Sequence, residues 1–160
     1  MFNDLKQSIN NSTIGEGTYV ADFVNIYGCT IGRECKIGTF VEIQSGVCIG
    51  DRCKVSSHSF ICSGVKIGNG VFIGHGVKFI NDRFPKAINE DGSLKSASEW
   101  DMECTEIGDG ASIGTGSVIM CGIRIGAGAL VGAGSVVTHD VAPGCVVYGN
   151  PAKVHSEEIE

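Results

Sequence analysis

The chain has 160 residues, and 12 lysines and arginines against 18 aspartates and glutamates give it a formal net charge of −6. This length fits a single domain, and the acidic balance argues against a general nucleic-acid binder, which needs a basic face for phosphates. Glycine contributes 24 residues, about twice its usual share of roughly 7%, whereas only 3 prolines are present, which excludes collagen and proline-rich linkers.

The apolar segments are too interrupted to form a membrane helix. The most apolar stretch, Ile125 to Val137, is broken by glycines and falls short of the roughly 20 residues that a span requires. No basic region leading into an apolar run marks a secretion signal at the amino terminus. The eight cysteines form no Cys-x-x-Cys pair, so we expect reduced thiols in a cytoplasmic protein with no membrane partner.

Aliphatic residues, with Phe79 in one place, recur every six positions on either side of a gap after Phe79, apart from one step of five residues between Ile26 and Ile31. These anchor positions are, in order, Ile14, Val20, Ile26, Ile31, Ile37, Ile43, Ile49, Val55, Ile61, Ile67, Ile73, Phe79, Ile107, Ile113, Ile119, Ile125, Val131 and Val137. A second small or apolar residue follows most anchors by four positions. That residue and the next anchor are two apart, so both face the same side of a short strand.

Twenty of the 24 glycines keep a fixed phase relative to the anchors. Ten follow an anchor directly, and ten lie three positions after one. Because glycine reaches unusual backbone angles at little cost, we interpret this phase as a regular bend. Strands this short cannot bury an apolar side alone, so the pattern predicts units that stack into a solenoid around one core. An amphipathic helix does not fit, because six is not a multiple of 3.6.

This repeat resembles that of the hexapeptide-repeat acyltransferases. The resemblance covers about residues 12–154 and implies an all-β fold, a left-handed parallel β-helix with three hexapeptides in each triangular coil. It also implies acyl transfer from coenzyme A or a carrier protein, by trimers whose active sites lie between subunits. We therefore expect residues 1–160 to form a single acyltransferase domain that assembles as a homotrimer.

The six-residue frame is lost between Phe79 and Ile107, which are 28 positions apart. An insert of this length in a compact repeat is usually functional or disordered, and Phe84 and Trp100 give this one apolar anchors of its own. In the resembled family, a loop near this point reaches a neighbouring subunit and helps to enclose the active site. We interpret residues 80–104 as that loop.

Members of the resembled family that acetylate hydroxyl groups carry a histidine at the start of this loop as a general base. A hydroxyl needs such help because it must lose its proton as it attacks the thioester carbon. This chain has no histidine from position 76 to position 138. A neutral amine already carries a lone pair and needs less help from a base. The absence of the loop histidine therefore favours an amine as the acceptor.

Residues 57–62, 71–77 and 81–85 narrow the resemblance to enzymes that N-acetylate a 3-amino group on a nucleotide-linked sugar. These segments include Ser-His-Ser-Phe-Ile-Cys and Phe-Ile-Gly-His-Gly. The resemblance implies acetyl-CoA as the acyl donor and a dTDP- or UDP-linked 3-amino sugar as the acceptor, for surface polysaccharide or lipopolysaccharide synthesis. Two alternatives stay open: O-acetylation of a sugar hydroxyl, and a non-catalytic β-solenoid scaffold.

Two histidines are the candidate catalytic residues. His58 lies three positions after Val55, and His75 lies two positions after Ile73. If three hexapeptides make a coil, His58 comes one coil below Gly76, so both histidines reach one edge near the loop. Either histidine accepts or relays the amine proton, with His75 favoured because it is nearer to the loop, or the amine arrives neutral and neither acts.

Asn81, Asp82 and Arg83, at the start of the loop, are predicted to position the sugar or its phosphates. No metal is expected. The resemblance to γ-class carbonic anhydrases, which use the same helix, would require three zinc-binding histidines, two of them five residues apart. No His-x4-His pair occurs in this chain.

The resemblance also implies a coenzyme A site between adjacent helices, over the carboxyl-terminal coils. Thr115 is expected near the thioester, with Ala133 and Thr138 farther along the coenzyme. The tail Gly-Asn-Pro-Ala-Lys-Val, residues 149–154, matches the closing signature of the family. Its basic residue, Lys153, is the expected phosphate contact.

Overall fold

The computed structural model describes residues 6–96 and 98–156 and contains three β-sheets that form the faces of one solenoid. All strands pair in parallel except the last, β21, which returns antiparallel to β20. The fold is the predicted all-β, left-handed parallel β-helix. The described residues include no helix with the length and hydropathy of a membrane span.

The strands are short and, from β1 to β19, belong to the three sheets in turn. Sheet A contains β1 (Ser8–Asn10), β4 (Asn25–Tyr27), β7 (Glu42–Ile43), β10 (Phe60–Ile61), β13 (Lys78–Phe79), β16 (Val118–Ile119) and β19 (Val136–Val137). Sheet B contains β2 (Thr13–Ile14), β5 (Thr30–Ile31), β8 (Cys48–Ile49), β11 (Val65–Ile67), β14 (Thr105–Ile107) and β17 (Arg124–Ile125). Sheet C contains β3 (Tyr19–Val20), β6 (Lys36–Ile37), β9 (Lys54–Val55), β12 (Phe72–Ile73), β15 (Ser112–Ile113), β18 (Leu130–Val131), β20 (Val146–Gly149) and β21 (Ala152–Ser156).

Equivalent residues of successive coils pair directly. Ile37 pairs with Val55, and Val55 with Ile73, in each case three hexapeptides farther along. In the first coils the offset is one residue shorter, as between Val20 and Ile37, because the repeat loses one residue after Ile26. The periodicity therefore fixes which residues lie above one another at every level of the solenoid.

The core consists of the anchors and the small residues that follow them. Sixteen of the 18 anchors are buried, and the other two, Ile14 and Val20, are half-buried in the first coil. All eight cysteines are free thiols, and six are buried. Burial raises the pKa of Cys53 to about 11 and that of Cys62 to about 12. These thiols stay neutral and pack as small apolar side chains.

Glycine occurs at the two sets of positions for different physical reasons. The ten that lie three positions after an anchor all have a positive φ, and they form the bends that the sequence predicts. The ten that directly follow an anchor do not. A Cβ at any of these would lie within 2.7 Å of the next coil, usually of its backbone. Their role is the close approach of coils, which corrects the interpretation that both sets form bends.

The insertion leaves the register intact. Ile67 pairs with Ile107, although the insertion separates them by far more than the three hexapeptides that separate other partners. The chain leaves and re-enters at the same corner, since the N–H of Ile80 donates to Ile119 and that of Thr105 to Gly64. Equivalent positions of the repeat therefore lie above one another on both sides of the insertion.

Alanine at Gly50 is expected to destabilise the solenoid far more than alanine at Gly46. A Cβ at Gly50 would lie 2.7 Å from the carbonyl oxygen of Gly68, and pushing coils apart should lower the free energy of unfolding by about 3 kcal/mol. Gly46 has a φ of +79° but open space around it, so its replacement should lower that free energy by only about 1 kcal/mol. Equilibrium denaturation of both variants checks this, and a larger loss at Gly46 would contradict it.

Candidate active site

The corner where the chain passes from sheet C to sheet A, called here the C–A corner, carries one column of candidate residues. The column contains Ser57, His75, Thr115 and Ala133, each two residues after a sheet C anchor. Backbone bonds join its levels: Gly76 N–H donates to the Ser57 carbonyl at 2.9 Å, and Gly116 N–H to the His75 carbonyl at 2.8 Å. The structure thus brings together His75, Thr115 and Ala133, which the sequence analysis assigned separately to catalysis and to the coenzyme.

His75 has a side-chain partner one coil below it. Its Nδ1 lies 2.8 Å from Oγ of Ser57. When Nδ1 donates this hydrogen bond, Nε2 keeps its lone pair and is free to accept a proton. Ser57 was not among the residues predicted from the sequence, although its separation of three hexapeptides from His75 was the available signal.

His58 lies at the same corner but faces different neighbours. Its ring stacks on that of Phe40, with centroids 4.9 Å apart, and Phe40 stacks on Phe23 at 5.5 Å. All three residues have a positive φ, and the His58 carbonyl accepts a hydrogen bond from Lys78. The expected edge shared by the two histidines exists, but His58 ends an aromatic stack while His75 joins the polar column.

The residues predicted to bind substrate lie at the other end of sheet A, at the corner that leads to sheet B (the A–B corner). Asn81 Nδ2 donates to the carbonyl of Ser63 at 3.1 Å. One carboxylate oxygen of Asp82 accepts the N–H of Phe84 at 2.9 Å. Within one chain, the width of sheet A therefore separates His75 from Asn81, Asp82 and Arg83.

Arg83, near the start of the loop, forms an ion pair with Glu103, near its end. Its guanidinium binds both carboxylate oxygens of Glu103, at 2.9 and 2.7 Å, and donates to the Cys121 carbonyl at 2.9 Å. This pairing raises the pKa of Arg83 and lowers that of Glu103. The same arginine borders a cavity of about 370 Å³ that also meets Trp100. Arg83 therefore has a structural role in the loop, and its role in binding substrate stays a prediction.

The predicted coenzyme residues divide between the two corners. Thr115 and Ala133 belong to the C–A column, whereas Thr138 lies at the A–B corner, with Oγ1 2.9 Å from Nδ1 of His139. Lys153 is exposed on β21 and pairs in register with Tyr148 of β20. It therefore lies at the end of sheet C that continues upward from Ala133, away from Thr138.

Among residues 6–96 and 98–156, no group of three or more His, Cys, Asp or Glu side chains is arranged to hold a metal ion. The polar side chains of the C–A column are two hydroxyl groups, those of Ser57 and Thr115, and the imidazole of His75. That arrangement is suited to orienting a substrate and moving a proton.

Comparisons with known proteins agree with this fold. The sequence profile of the bacterial transferase hexapeptide family, built on six repeats, matches residues 28–63 and 104–139. No curated protein sequence matches the chain closely enough to be counted as a relative.

Solved structures with the same fold include three hexapeptide-type enzymes. A hexapeptide transferase family protein from Anaplasma phagocytophilum has a TM-score of 0.75 at 20% identity, over 93% of this chain and 80% of the other. A hexapeptide-repeat acetyltransferase from Vibrio cholerae, in complex with acetyl coenzyme A, gives 0.66 at 24%, over 92% and 72%. The N-acyltransferase AntD from Bacillus cereus, in complex with dTDP and coenzyme A, gives 0.79 at 18%, over 93% and 84%.

The repeat in the sequence, the β-helix that it forms and these matches agree: the chain has the fold of the hexapeptide-repeat transferases, and two stretches of it match the hexapeptide profile.

Proposed function

We propose that the protein is an acetyl-CoA-dependent N-acetyltransferase acting on the amino group of a dTDP- or UDP-linked 3-amino sugar. Such a product serves surface polysaccharide or lipopolysaccharide synthesis. The observation that carries the proposal is the C–A column, in which His75, oriented by Ser57, lies directly below Thr115 and Ala133. The fold shared with AntD, an N-acyltransferase solved with dTDP and coenzyme A, supports the choice of substrates.

The chemistry proposed for this column begins with the neutral amine of the sugar. Its nitrogen attacks the thioester carbonyl carbon, a C–N bond forms, and the carbonyl oxygen becomes an oxyanion. His75 accepts the amine proton at Nε2 while Nδ1–H donates to Ser57. The C–S bond then breaks, and the coenzyme leaves as a thiolate, which the same imidazolium can protonate.

Oxyanion stabilisation falls to a backbone N–H of the corner, a contribution often worth about 3 kcal/mol. The N–H groups of Gly76 and Gly116 are already used between coils. Thr115 is the better candidate, because its N–H takes part in none of the hydrogen bonds found among the described residues.

The coenzyme is proposed to lie along the upper coils of sheet C. Thr115 and Ala133 would flank the pantetheine arm, and Lys153 would meet a phosphate through a charge-assisted contact. Thr138 remains a proposed contact only for a coenzyme that also reaches the A–B corner.

A homotrimer is part of the proposal, because one chain does not bring its loop to its own His75. The loop leaves at the A–B corner, and His75 lies at the C–A corner. In a closed ring of three copies, the loop of one subunit can reach the C–A corner of the next. Asn81 and Asp82 would then contact the sugar that is bound at the neighbour's histidine.

The trimer leads to a mixing experiment. His75→Asn and Asn81→Ala trimers should each be nearly inactive, and dissociating and reassembling them together should restore activity, because mixed rings contain interfaces with both residues intact. Sedimentation of the native protein should show three 16.7 kDa chains. A clean monomer, or no recovery in confirmed mixed trimers, would contradict the shared site.

The acceptor is tested with matched sugars. The protein should acetylate dTDP- or UDP-linked 3-amino-3-deoxyhexoses, with coenzyme A thiol released in step with the mass gain of the sugar. The corresponding 3-hydroxy sugars should react far more slowly, because a hydroxyl is a weaker nucleophile than a neutral amine and must lose its proton as it attacks. Reaction of the hydroxy sugars alone would establish O-acetylation, and no transfer to any acceptor would favour the scaffold.

The role of His75 is tested by its replacement, with the turnover number on the amino sugar as the readout. His75→Asn should lower the turnover number by roughly 10²–10⁴-fold, the usual contribution of a general base. Ser57→Ala should give a smaller loss, because the imidazole remains but its orientation is no longer fixed.

His58→Asn separates the two candidate bases. It should retain most of the turnover, because His58 packs on Phe40 outside the column. Full activity in the double variant His58→Asn/His75→Asn would show that the amine arrives neutral and that no histidine accepts its proton.

A further inference from the structure

The outer face of sheet C below His75 contains a groove, and the reaction scheme uses only its upper end. It has a volume of about 260 Å³, and its polar lining includes Tyr19, Lys36, Lys54, Ser57 and His75. Tyr19 pairs in register with Lys36, and Lys36 with Lys54, on three successive strands of the sheet. The groove therefore runs down the solenoid from the candidate base.

The two lysines place positive charge together in a chain whose net charge is −6. Both side chains are exposed, and neither belongs to the two ion pairs found among the described residues, Arg83–Glu103 and Arg124–Glu106. Like charges directly opposite each other on neighbouring strands are destabilising. A bound anion with charges spread over two neighbouring groups would relieve this repulsion, and a diphosphate has that form.

The base of the groove offers an aromatic ring. Tyr19 is 63% exposed and lies on β3, one coil below Lys36. From the level of His75 to the level of Tyr19 there are three coil steps, or about 14 Å at the usual strand spacing. That span is comparable to an extended nucleoside diphosphate sugar measured from the sugar ring to the base.

The order of groups along the groove matches such a ligand from end to end. The coenzyme candidates Thr115, Ala133 and Lys153 all lie above His75, so the donor and the groove approach the imidazole from opposite directions. A ligand in the groove would present its sugar at His75, its diphosphate at the lysines and its base at Tyr19.

We propose that this groove binds the nucleoside diphosphate part of the acceptor. Lys36 and Lys54 hold the two phosphates, and the face of Tyr19 stacks on the nucleobase. The inference rests on the proposed function and adds to it the residues that would select an activated sugar over a free one. The shared chemistry, a diphosphate, also occurs in coenzyme A, so the test has to separate the two sources.

The test uses Lys36→Met/Lys54→Met, which removes both charges and keeps the length of the side chains. In calorimetric titrations with UDP and with dTDP, we expect the Kd of the better nucleotide to rise by roughly 10–100-fold. Lys66→Met is the matched control, since Lys66 occupies the same outward strand position on sheet B. This variant should bind the nucleotide with the Kd of the native protein. Circular dichroism and melting confirm that the variants are folded.

Steady-state kinetics then assign the source of the diphosphate. Lys36→Met/Lys54→Met should raise the KM of the nucleotide sugar and leave that of acetyl-CoA within about twofold. Lys153→Met should show the reverse. A raised KM for acetyl-CoA in the double variant would place the coenzyme in the groove and overturn the proposal.

Tyr19 gives an independent check on the base. Tyr19→Leu should weaken nucleotide binding, whereas Tyr19→Phe, which keeps the ring, should preserve it. If Lys36→Met/Lys54→Met and Tyr19→Leu both bind the nucleotide as the native protein does, the groove is not the nucleotide site. The proposed acetyl transfer would be unaffected by that result. If the native protein binds neither nucleotide but acetylates an unlinked amino sugar, the nucleotide site is wrong and the N-acetyltransferase chemistry stands.

Discussion

The structure depends on the backbone hydrogen bonds that join each coil to the next at a fixed offset. In the middle of the solenoid this offset is three hexapeptides, so a side chain's position in the repeat determines its corner, its level and its direction. The glycines that directly follow the anchors make the close contact possible, because the next coil occupies the place of their Cβ. The interior is therefore nearly uniform, and chemical variety is confined to outward strand positions, corners and the insertion.

That confinement explains how a small set of side chains can form a site. Ser57, His75, Thr115 and Ala133 come from separate coils on both sides of a long insertion, yet the ladder places them in one line. Little side-chain packing is needed to hold them, since their spacing is the spacing of strands. In the proposed enzyme the histidine lies at the boundary between coils that receive the donor and coils that receive the acceptor.

The periodic part of this arrangement can be predicted from the sequence, and the aperiodic part cannot. The anchors predict the fold, and an offset of three hexapeptides is enough to place His75 above Ser57. The same arithmetic separates Thr138 from Ala133, because Thr138 follows the next anchor, Val137, and so lies at the next corner. By contrast, no repeat links Arg83 to Glu103, which meet only because the insertion closes on itself.

The glycines show a second limit. Both sets look alike in the sequence, yet the set at the bends has positive φ and the set after the anchors does not. The two sets are distinguished by what lies one coil away, and that information belongs to the stacked solenoid. The chain also places Phe40, His58 and Arg52 in the left-handed region, so glycine is preferred at bends but required where coils touch.

The loop leaves and returns at one corner and at adjacent levels, which makes it separable from the solenoid. Its extra residues change neither the phase nor the facing of any later coil, as the pairing of Ile67 with Ile107 shows. Because the closure entropy of a loop grows only slowly with its length, this segment can be lengthened, shortened or exchanged at little cost to folding. In the proposed enzyme, the solenoid could therefore stay constant while the loop changes with the acceptor.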